Sequence, residues 1–227
     1  MRLGVDLDNT LICYDDVFLS GARELNLVPK SWTGDRFQVR AYVRDQKNGE
    51  TSWQRLQGQV YGRWISRAKL FPGVYRFLWR CNFRKITVDV LSHKSEYGHF
   101  DNEEVALRQV ARQFLVEQGI LSEHGESLIN SIEFFSEREE KIERIVGKKF
   151  DLFIDDLPEI LEHVEIADKT ETLGFDPTNT SDFSVSEKVG SWIEIESRLF
   201  GKWNDDELNV FAREVSGSSV LGIKWQS

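Results

Sequence analysis

Residues 1–14 read MRLGVDLDNTLICY. A short apolar run over residues 2–5 stops abruptly at Asp6 and Asp8, as a buried strand does when it leaves a sheet at a polar edge. The two carboxylates also interrupt the apolar stretch, and no small-residue cleavage site follows, so a signal peptide is not expected. Two further runs end in the same way. Residues 85–91 (KITVDVL) lead into Ser92, and residues 150–154 (FDLFI) lead into Asp155 and Asp156. Residues 132–135 and 172–175 are weaker strand candidates.

Helical patterns separate these runs. Val74, Phe77, Leu78 and Cys81 follow Pro72-Gly73 at i, i+3, i+4, i+7, which is one apolar helix face behind a start signal. From Glu103 onward Leu107, Val110, Ala111, Phe114 and Leu115 repeat the pattern, with Asp101 or Asn102 able to cap it and Gly119 able to end it. Residues 137–146 and 158–164 read as shorter helices, the second with Pro158 near its first turn. Strand alternating with helix is what a parallel sheet requires, so the expected fold class is α/β: a three-layer, Rossmann-like core with a parallel central sheet. Residues 14–69 break the alternation. They are rich in Arg, Trp and Gln, with a turn at Asn48-Gly49 and helices expected around 20–26 and 52–67, and they read as a small, mainly helical insertion above the sheet. Residues 191–200 read as a last helix of a core spanning 1–200. Residues 201–227 form an extension, with another helix from 205 (Leu208, Phe211, Ala212, Val215) and then an apolar run over 220–225.

The chain has 227 residues, 40% hydrophobic and 30% charged, with only four Pro, which fits a soluble globular protein rather than a disordered one. Its 38 acidic against 29 basic residues give a net charge of -9. That excess weighs against a nucleic-acid or membrane-surface binder and fits an acidic cytoplasmic protein. No repeat and no membrane-spanning apolar stretch is visible. Cys13 and Cys81 are the only cysteines, too few for a disulfide scaffold and wrongly spaced for zinc, and are expected as buried thiols. Charge is uneven: residues 20–85 hold 14 Lys and Arg against 4 Asp and Glu. Asp89 lies inside a strand read as buried, so either that strand is near an edge or Asp89 has a partner.

In an open α/β sheet the carboxyl ends of the strands are where ligands bind. Here they carry Asp6 and Asp8, Ser92-His93-Lys94, and Asp155-Asp156. Four carboxylates in one place repel one another unless a cation sits among them. Mg²⁺ suits a few carboxylates plus water and phosphate oxygens.

The residues that carry this edge also carry a resemblance. GVDLDNTL resembles the first motif of the haloacid dehalogenase superfamily, a strand followed by DxDxT, here Asp6, Asp8 and Thr10. VDVLSHKSE resembles the second motif at Ser92, EREEKIERI the third through Lys141, and FIDDLPEIL the acidic fourth at Asp155-Asp156. Lys94, Lys148 and Lys149 are neighbouring alternatives for the third-motif lysine. The resemblance runs from residue 1 to about 200 and implies a hydrolase with a small C1-type cap over residues 14–69. It implies that Asp6 attacks phosphorus to form an aspartyl-phosphate and that Asp8 acts as general acid and base. Mg²⁺ would be held by Asp6, the Asp8 carbonyl and Asp156, while Ser92 and Lys141 bind the phosphoryl oxygens and Asp155 orients Lys141 or a metal-bound water. Thr10, Ser92, His93 and Lys94 are the expected substrate contacts; His99, His124 and His163 are expected at the surface.

The insertion holds 10 Lys and Arg against 6 Asp and Glu, which suits an anionic substrate, with Arg40, Arg44, Arg63 and Arg67 as candidate contacts. Trp53, Tyr61 and Trp64 either stack on a sugar or base or form the cap's own core. The implied activity is hydrolysis of a small phosphorylated metabolite, a sugar phosphate ahead of a nucleotide. Phosphotransferase or phosphomutase activity uses the same chemistry. A rival from another class is a non-catalytic phosphate-binding module: LNVFAREVSGSSVLGIKWQS resembles the lead-in and first strand of an aminoglycoside-phosphotransferase-like kinase domain, which implies a kinase-like domain or partner joined through the C-terminal extension.

Overall fold

Strand β1 (Arg2–Val5) lies in the middle of a sheet and is followed by the short β2 (Ile12–Cys13). Then come three helices, α1 (Asp15–Glu24), α2 (Arg36–Arg44) and α3 (Gly49–Tyr61), a single 3-10 turn at Ile65–Arg67, and β3 (Lys69–Leu70). The chain continues through α4 (Val74–Phe83), β4 (Thr87–His93), α5 (Leu107–Glu117), β5 (Ser131–Phe135), α6 (Arg138–Lys148) and β6 (Leu152–Asp155). It ends with α7 (Pro158–Leu161), α8 (Val164–Ala167), β7 (Glu171–Phe175), β8 (Glu187–Val189), α9 (Trp192–Phe200) and α10 (Asp205–Gly217). The computed structural model describes residues 1–100, 104–184 and 187–217. The cap residues expected at Asp101 and Asn102 and the apolar run 220–225 lie outside the described residues.

Six strands pair in the order β5-β4-β1-β6-β7-β8, every neighbour parallel. This is the expected α/β class. Register sets the site: Val5 stands opposite both Val90 and Ile154. Asp6 and Asp155 therefore leave the sheet side by side, and Ser92 emerges at the same edge. β1 and β6 are near-continuous apolar runs because helices cover both faces of the sheet.

The departures from expectation have local causes. β4 begins at Thr87 because Lys85 takes a left-handed turn, φ 58°. β8 is three residues, EKV, and β2 and β3 are two each, too short for any alternation to be visible. β2 and β3 pair antiparallel, Ile12 with Leu70 and Cys13 with Lys69, and so close the base of the helical insertion. Helix α2 is polar enough to escape a periodicity reading. Its signal is Asp35 and Gln38, a capping box in which the Asp35 side chain accepts from the Gln38 N–H at 2.9 Å and the Gln38 side chain accepts from the Asp35 N–H at 3.1 Å. The tight α2–α3 link needs Asn48 at φ 58° and glycine at 49, where a Cβ would lie 2.4 Å from the carbonyl oxygens of Val43 and Arg44.

The insertion has no separate core. Val39, Val43, Trp53 and Leu56 are continuous with Leu3, Val5 and the rest of the sheet's apolar packing, and Trp53 stacks on Phe18 at 5.0 Å. Trp53 and Trp64 thus belong to the core. Cys81 is buried, whereas Cys13 is only half-buried.

Two buried ion clusters fasten the periphery to this frame. Asp89 sits in an interior strand and does have partners: Ser131 Oγ (2.6 Å), Asn130 Nδ2 (2.7 Å), Arg2 Nη2 (2.8 Å) and Lys148 Nζ (3.0 Å) all donate to it. Burial works against its charge, yet these bonds hold its carboxyl well below the usual carboxylate range. Arg80 of α4, fully buried, spends all five N–H donors on Glu207, Glu196 and the carbonyls of Gly201 and Lys202. Trp79 adds contacts to Trp203 and Phe211, so the described part of the C-terminal extension docks on α4. Among the described residues no helix is long and apolar enough to cross a membrane.

Burial opposes ionisation of Glu207, but bonds from Arg80 and Arg84 pull its carboxyl down to about 2. A carboxyl lower in the folded than in the unfolded chain contributes stability that is complete above its ordinary value and lost as pH falls through its folded value. Glu207→Gln is therefore expected to cost about 3–5 kcal/mol at neutral pH, because Arg80 loses a buried counter-charge. The difference from wild type in urea denaturation should shrink as pH drops from about 4.5 toward about 2; a pH-independent difference would contradict this.

Candidate active site

Asp6 is the first residue beyond β1, held by its N–H to the Ile154 carbonyl at 2.9 Å. Lys141, on the first turns of α6 and buried, bridges Asp6 Oδ1 at 2.6 Å and Asp155 Oδ2 at 2.7 Å. The rival lysines go elsewhere: Lys148 reaches Asp89 and Glu133, Lys149 ends α6 in a left-handed turn, and Lys94 binds Asp8. Asp155 uses its other oxygen to accept the Leu157 N–H at 2.9 Å, so both its oxygens are engaged. Asp6 Oδ2 accepts no hydrogen bond among the described residues.

Asp8 follows in a tight loop, with Asn9 at φ 65° and the N–H groups of Leu11 and Ile12 donating to the Leu7 carbonyl. Three donors grip its carboxylate: the Tyr14 hydroxyl at 2.8 Å, Lys94 Nζ at 2.8 Å and Ser92 Oγ at 3.4 Å. Lys94 also lies 4.6 Å over the Tyr61 ring. Ser92 and Lys94, expected as substrate contacts, are thus directed at Asp8. His93 is at the cavity wall with Nε2 2.9 Å from the Ser136 carbonyl. Thr10, expected as a substrate contact, is not brought to the cavity: it is fully buried, its Oγ1 has no hydrogen-bond partner among the described residues, and its carbonyl accepts the Trp192 indole N–H. Its role is to anchor the loop. Tyr14 was not legible as a site residue, because no spacing rule links it to Asp8.

Nor was Arg36. From α2 it crosses to Asp156, Nη2 to Oδ2 at 2.9 Å, tying the insertion to the fourth motif. Asp6, Asp8, Asp155 and Asp156 therefore face Lys94, Lys141 and Arg36, four acids against three bases. Burial, opposed by Lys141 and aided by Asp155 and Asp8, pushes Asp6 up to about 7. Burial likewise pushes Asp156 up to about 6 against the pull of Arg36. Burial also opposes the charge on Lys141, but Asp155 and Asp6 outweigh it and hold the ammonium above its ordinary range.

The surplus acid fits a hard cation. Ligand oxygens of Asp6, Asp155 and Asp156 lie within 4.8 Å of one another, and all the donors are oxygen, as Mg²⁺ prefers. Since Asp155 is committed to Lys141 and Leu157, Asp6 and Asp156 are the available carboxylates, and the Asp8 carbonyl accepts no hydrogen bond among the described residues.

Above this floor lies a cavity of about 430 Å³, roofed by α2 and α3 and flanked by residues 93–99. α3 approaches the flanking loop closely at Gly58, where a Cβ would sit 3.3 Å from the His99 carbonyl. Arg40 and Arg44 line it as expected, and so does His99. Arg63 and Arg67 do not: both lie over the Trp64 ring, and Arg67 pairs with Glu24.

The same architecture occurs in a haloacid dehalogenase-like family hydrolase from Streptococcus pneumoniae, with a TM-score of 0.57 over 87% of this chain and 97% of that one at 13% identity. The chain has the haloacid dehalogenase-like fold. A candidate beta-phosphoglucomutase from Thermotoga maritima is similar too, at TM-score 0.54 and 11% identity over 88% of this chain and 99% of that one. So is a candidate phosphoglycolate phosphatase from Lactobacillus delbrueckii, at TM-score 0.53 and 13% identity over 88% and 98%. No protein-family model matches the sequence, and no curated protein matches it. Within the haloacid dehalogenase-like fold, all four motif positions of this chain converge on one strand edge.

Arg36 and a dication both claim Asp156, so they should compete. Mg²⁺ is expected to raise the Tm of the wild type by preferential binding to the folded chain, and Asp156→Asn should abolish the rise. Arg36→Gln should reach the half-maximal rise at several-fold lower Mg²⁺; an unchanged or higher midpoint would contradict the competition.

Proposed function

We propose that this chain is a Mg²⁺-dependent phosphomonoester hydrolase that acts through an aspartyl-phosphate on a small phosphorylated metabolite, a sugar phosphate ahead of a nucleotide, in the cytoplasm. The observation that carries the reading is the pairing of Asp6 and Asp8. One oxygen of Asp6 is pinned by Lys141 and the other has no partner among the described residues, beside a second carboxylate gripped by Tyr14 and Lys94.

Asp6 Oδ2 attacks phosphorus while the bond to the leaving oxygen breaks, and Asp8, which enters the step carrying a proton, gives that proton to the leaving oxygen. Asp8 then takes a proton from water, whose oxygen attacks the same phosphorus and releases Asp6 with inorganic phosphate. Lys141 holds Asp6 in place and offers fixed positive charge to the phosphoryl oxygens as charge develops. Tyr14 and Lys94 are positioning residues for Asp8. Asp6, the Asp8 carbonyl and Asp156 would hold Mg²⁺, which would supply charge that shields the nucleophile from the phosphate. The helical roof excludes competing water.

A sugar phosphate is put ahead of a nucleotide because Gln54, Gln57 and Asn9 line the cavity and offer partners for hydroxyl groups. With a hydroxyl acceptor in place of water the same steps transfer phosphate.

Phosphate release from a panel of sugar phosphates, nucleotides and p-nitrophenyl phosphate is expected with Mg²⁺ and not with EDTA. Asp6→Asn should lower kcat by at least about 10³-fold, since removal of a covalent nucleophile is among the largest losses known. Tyr14→Phe should lower kcat by about tenfold with KM little changed, the pattern of a positioning residue. Full turnover in Asp6→Asn would overturn the reading.

A further inference from the structure

The cavity's charges can be accounted for one by one. Lys141 faces Asp6, Lys94 faces Asp8 and Arg36 faces Asp156. Arg138 faces Glu159 at 3.5 Å, and Arg44 faces Glu50 at 2.7 Å. Among the described residues Arg40 alone of the lysines and arginines lining the cavity has no ion pair and no hydrogen bond. It stands between Arg36 and Arg44 on one face of α2, four residues from each. Such spacing sets the Cβ atoms of the three arginines about 6 Å apart along the helix. Like charges stacked at this spacing are destabilising unless an anion joins them. Partial burial, with Arg44 and Arg36 adding to it, pulls the Arg40 guanidinium below its ordinary range.

The row also has a direction. Arg36 marks the end nearest the chemistry through Asp156, Arg40 lies one turn farther, and Arg44 a turn beyond that, partly neutralised by Glu50. Gln54 and Gln57 of α3 line the same cavity and offer amide donors.

We infer that Arg40, assisted by Arg44, is an anion-binding subsite that takes the second phosphate or carboxylate of a doubly charged phosphomonoester, one turn of helix away from the reacting phosphate. The inference deepens the phosphatase reading and rests on it only for which end of the ligand meets Asp6. Arg40 is then a specificity-determining residue: it separates metabolites with an anionic far end from those with a hydroxyl there.

Binding is measured by calorimetry with Mg²⁺ in an Asp6→Asn background, so that no turnover is needed. Two matched pairs of probes are used: glycerol 3-phosphate against 3-phosphoglycerate, and fructose 6-phosphate against fructose 1,6-bisphosphate. At least one doubly charged probe should bind about tenfold more tightly than its singly charged match, the size of one charge-assisted hydrogen bond. The first pair reports a carboxylate and the second a phosphate. Arg40→Gln should erase the preference, and Arg40→Lys should restore part of it. No preference in either pair, or a preference that survives Arg40→Gln, would overturn the inference. A preference that depends on Arg40 in a protein whose wild type releases no phosphate would leave the subsite standing and remove the phosphatase reading instead.

Discussion

The structure turns on the ammonium of Lys141, buried between the carboxylates of Asp6 and Asp155. Three charged groups out of water are expensive unless each meets an opposite charge at short range and its remaining oxygens are bonded. The parallel register of β1 with β6 brings the two acids side by side, and the first turns of α6 supply the base between them. If the register slipped by one residue, an apolar side chain would take the place of Asp6 and Lys141 would lose a partner. The same bridge that makes the edge tolerable also pins Asp6 by one oxygen. Stability and chemistry share a single contact here.

Much of this was legible because the chemistry sits where patterns are strongest. The runs ending in Asp6 and Asp155 are near-continuously apolar and the one ending in Ser92 is β-branched and broken only by Asp89 near its end, so their ends stand out, and the four motif positions do meet. What escaped is short or polar. β2, β3 and β8 have too few residues for alternation, and α2 owes its ends to a capping box rather than to an apolar stripe. The third-motif pattern put Lys141 first but left Lys94, Lys148 and Lys149 as alternatives, because spacing along the chain does not show which lysine reaches the acids. Only three-dimensional placement divides them, one to Asp6, one to Asp8, one to Asp89 and one to a helix terminus. Thr10 failed for the opposite reason: it sits in a motif position, yet its loop turns it inward, where its carbonyl meets Trp192.

The helical insertion shows how a roof is held without a core of its own. Its apolar residues are continuous with those beneath the sheet, its base is closed by the β2–β3 pair, and its front is tied by Arg36 to Asp156. That last tie joins two residues that both line the cavity, one of them an acid proposed to hold the cation. Roof and floor are therefore linked through charge, so that whatever neutralises the floor also acts on the roof. Tyr14 serves both parts as well, with its hydroxyl on Asp8 and its ring edge-on to Tyr61 of α3.

The central claim is that Asp6, and not a neighbouring acid, carries the reacting phosphorus. Acid quenching during turnover of the best phosphomonoester, followed by peptide mass spectrometry, tests it most directly. The account requires one phosphoryl group on the peptide containing residues 1–14, located at Asp6 by fragmentation, and none on the peptide containing Asp155 and Asp156. Phosphate released at full rate with no label on Asp6, or a label on any other carboxylate, would contradict it.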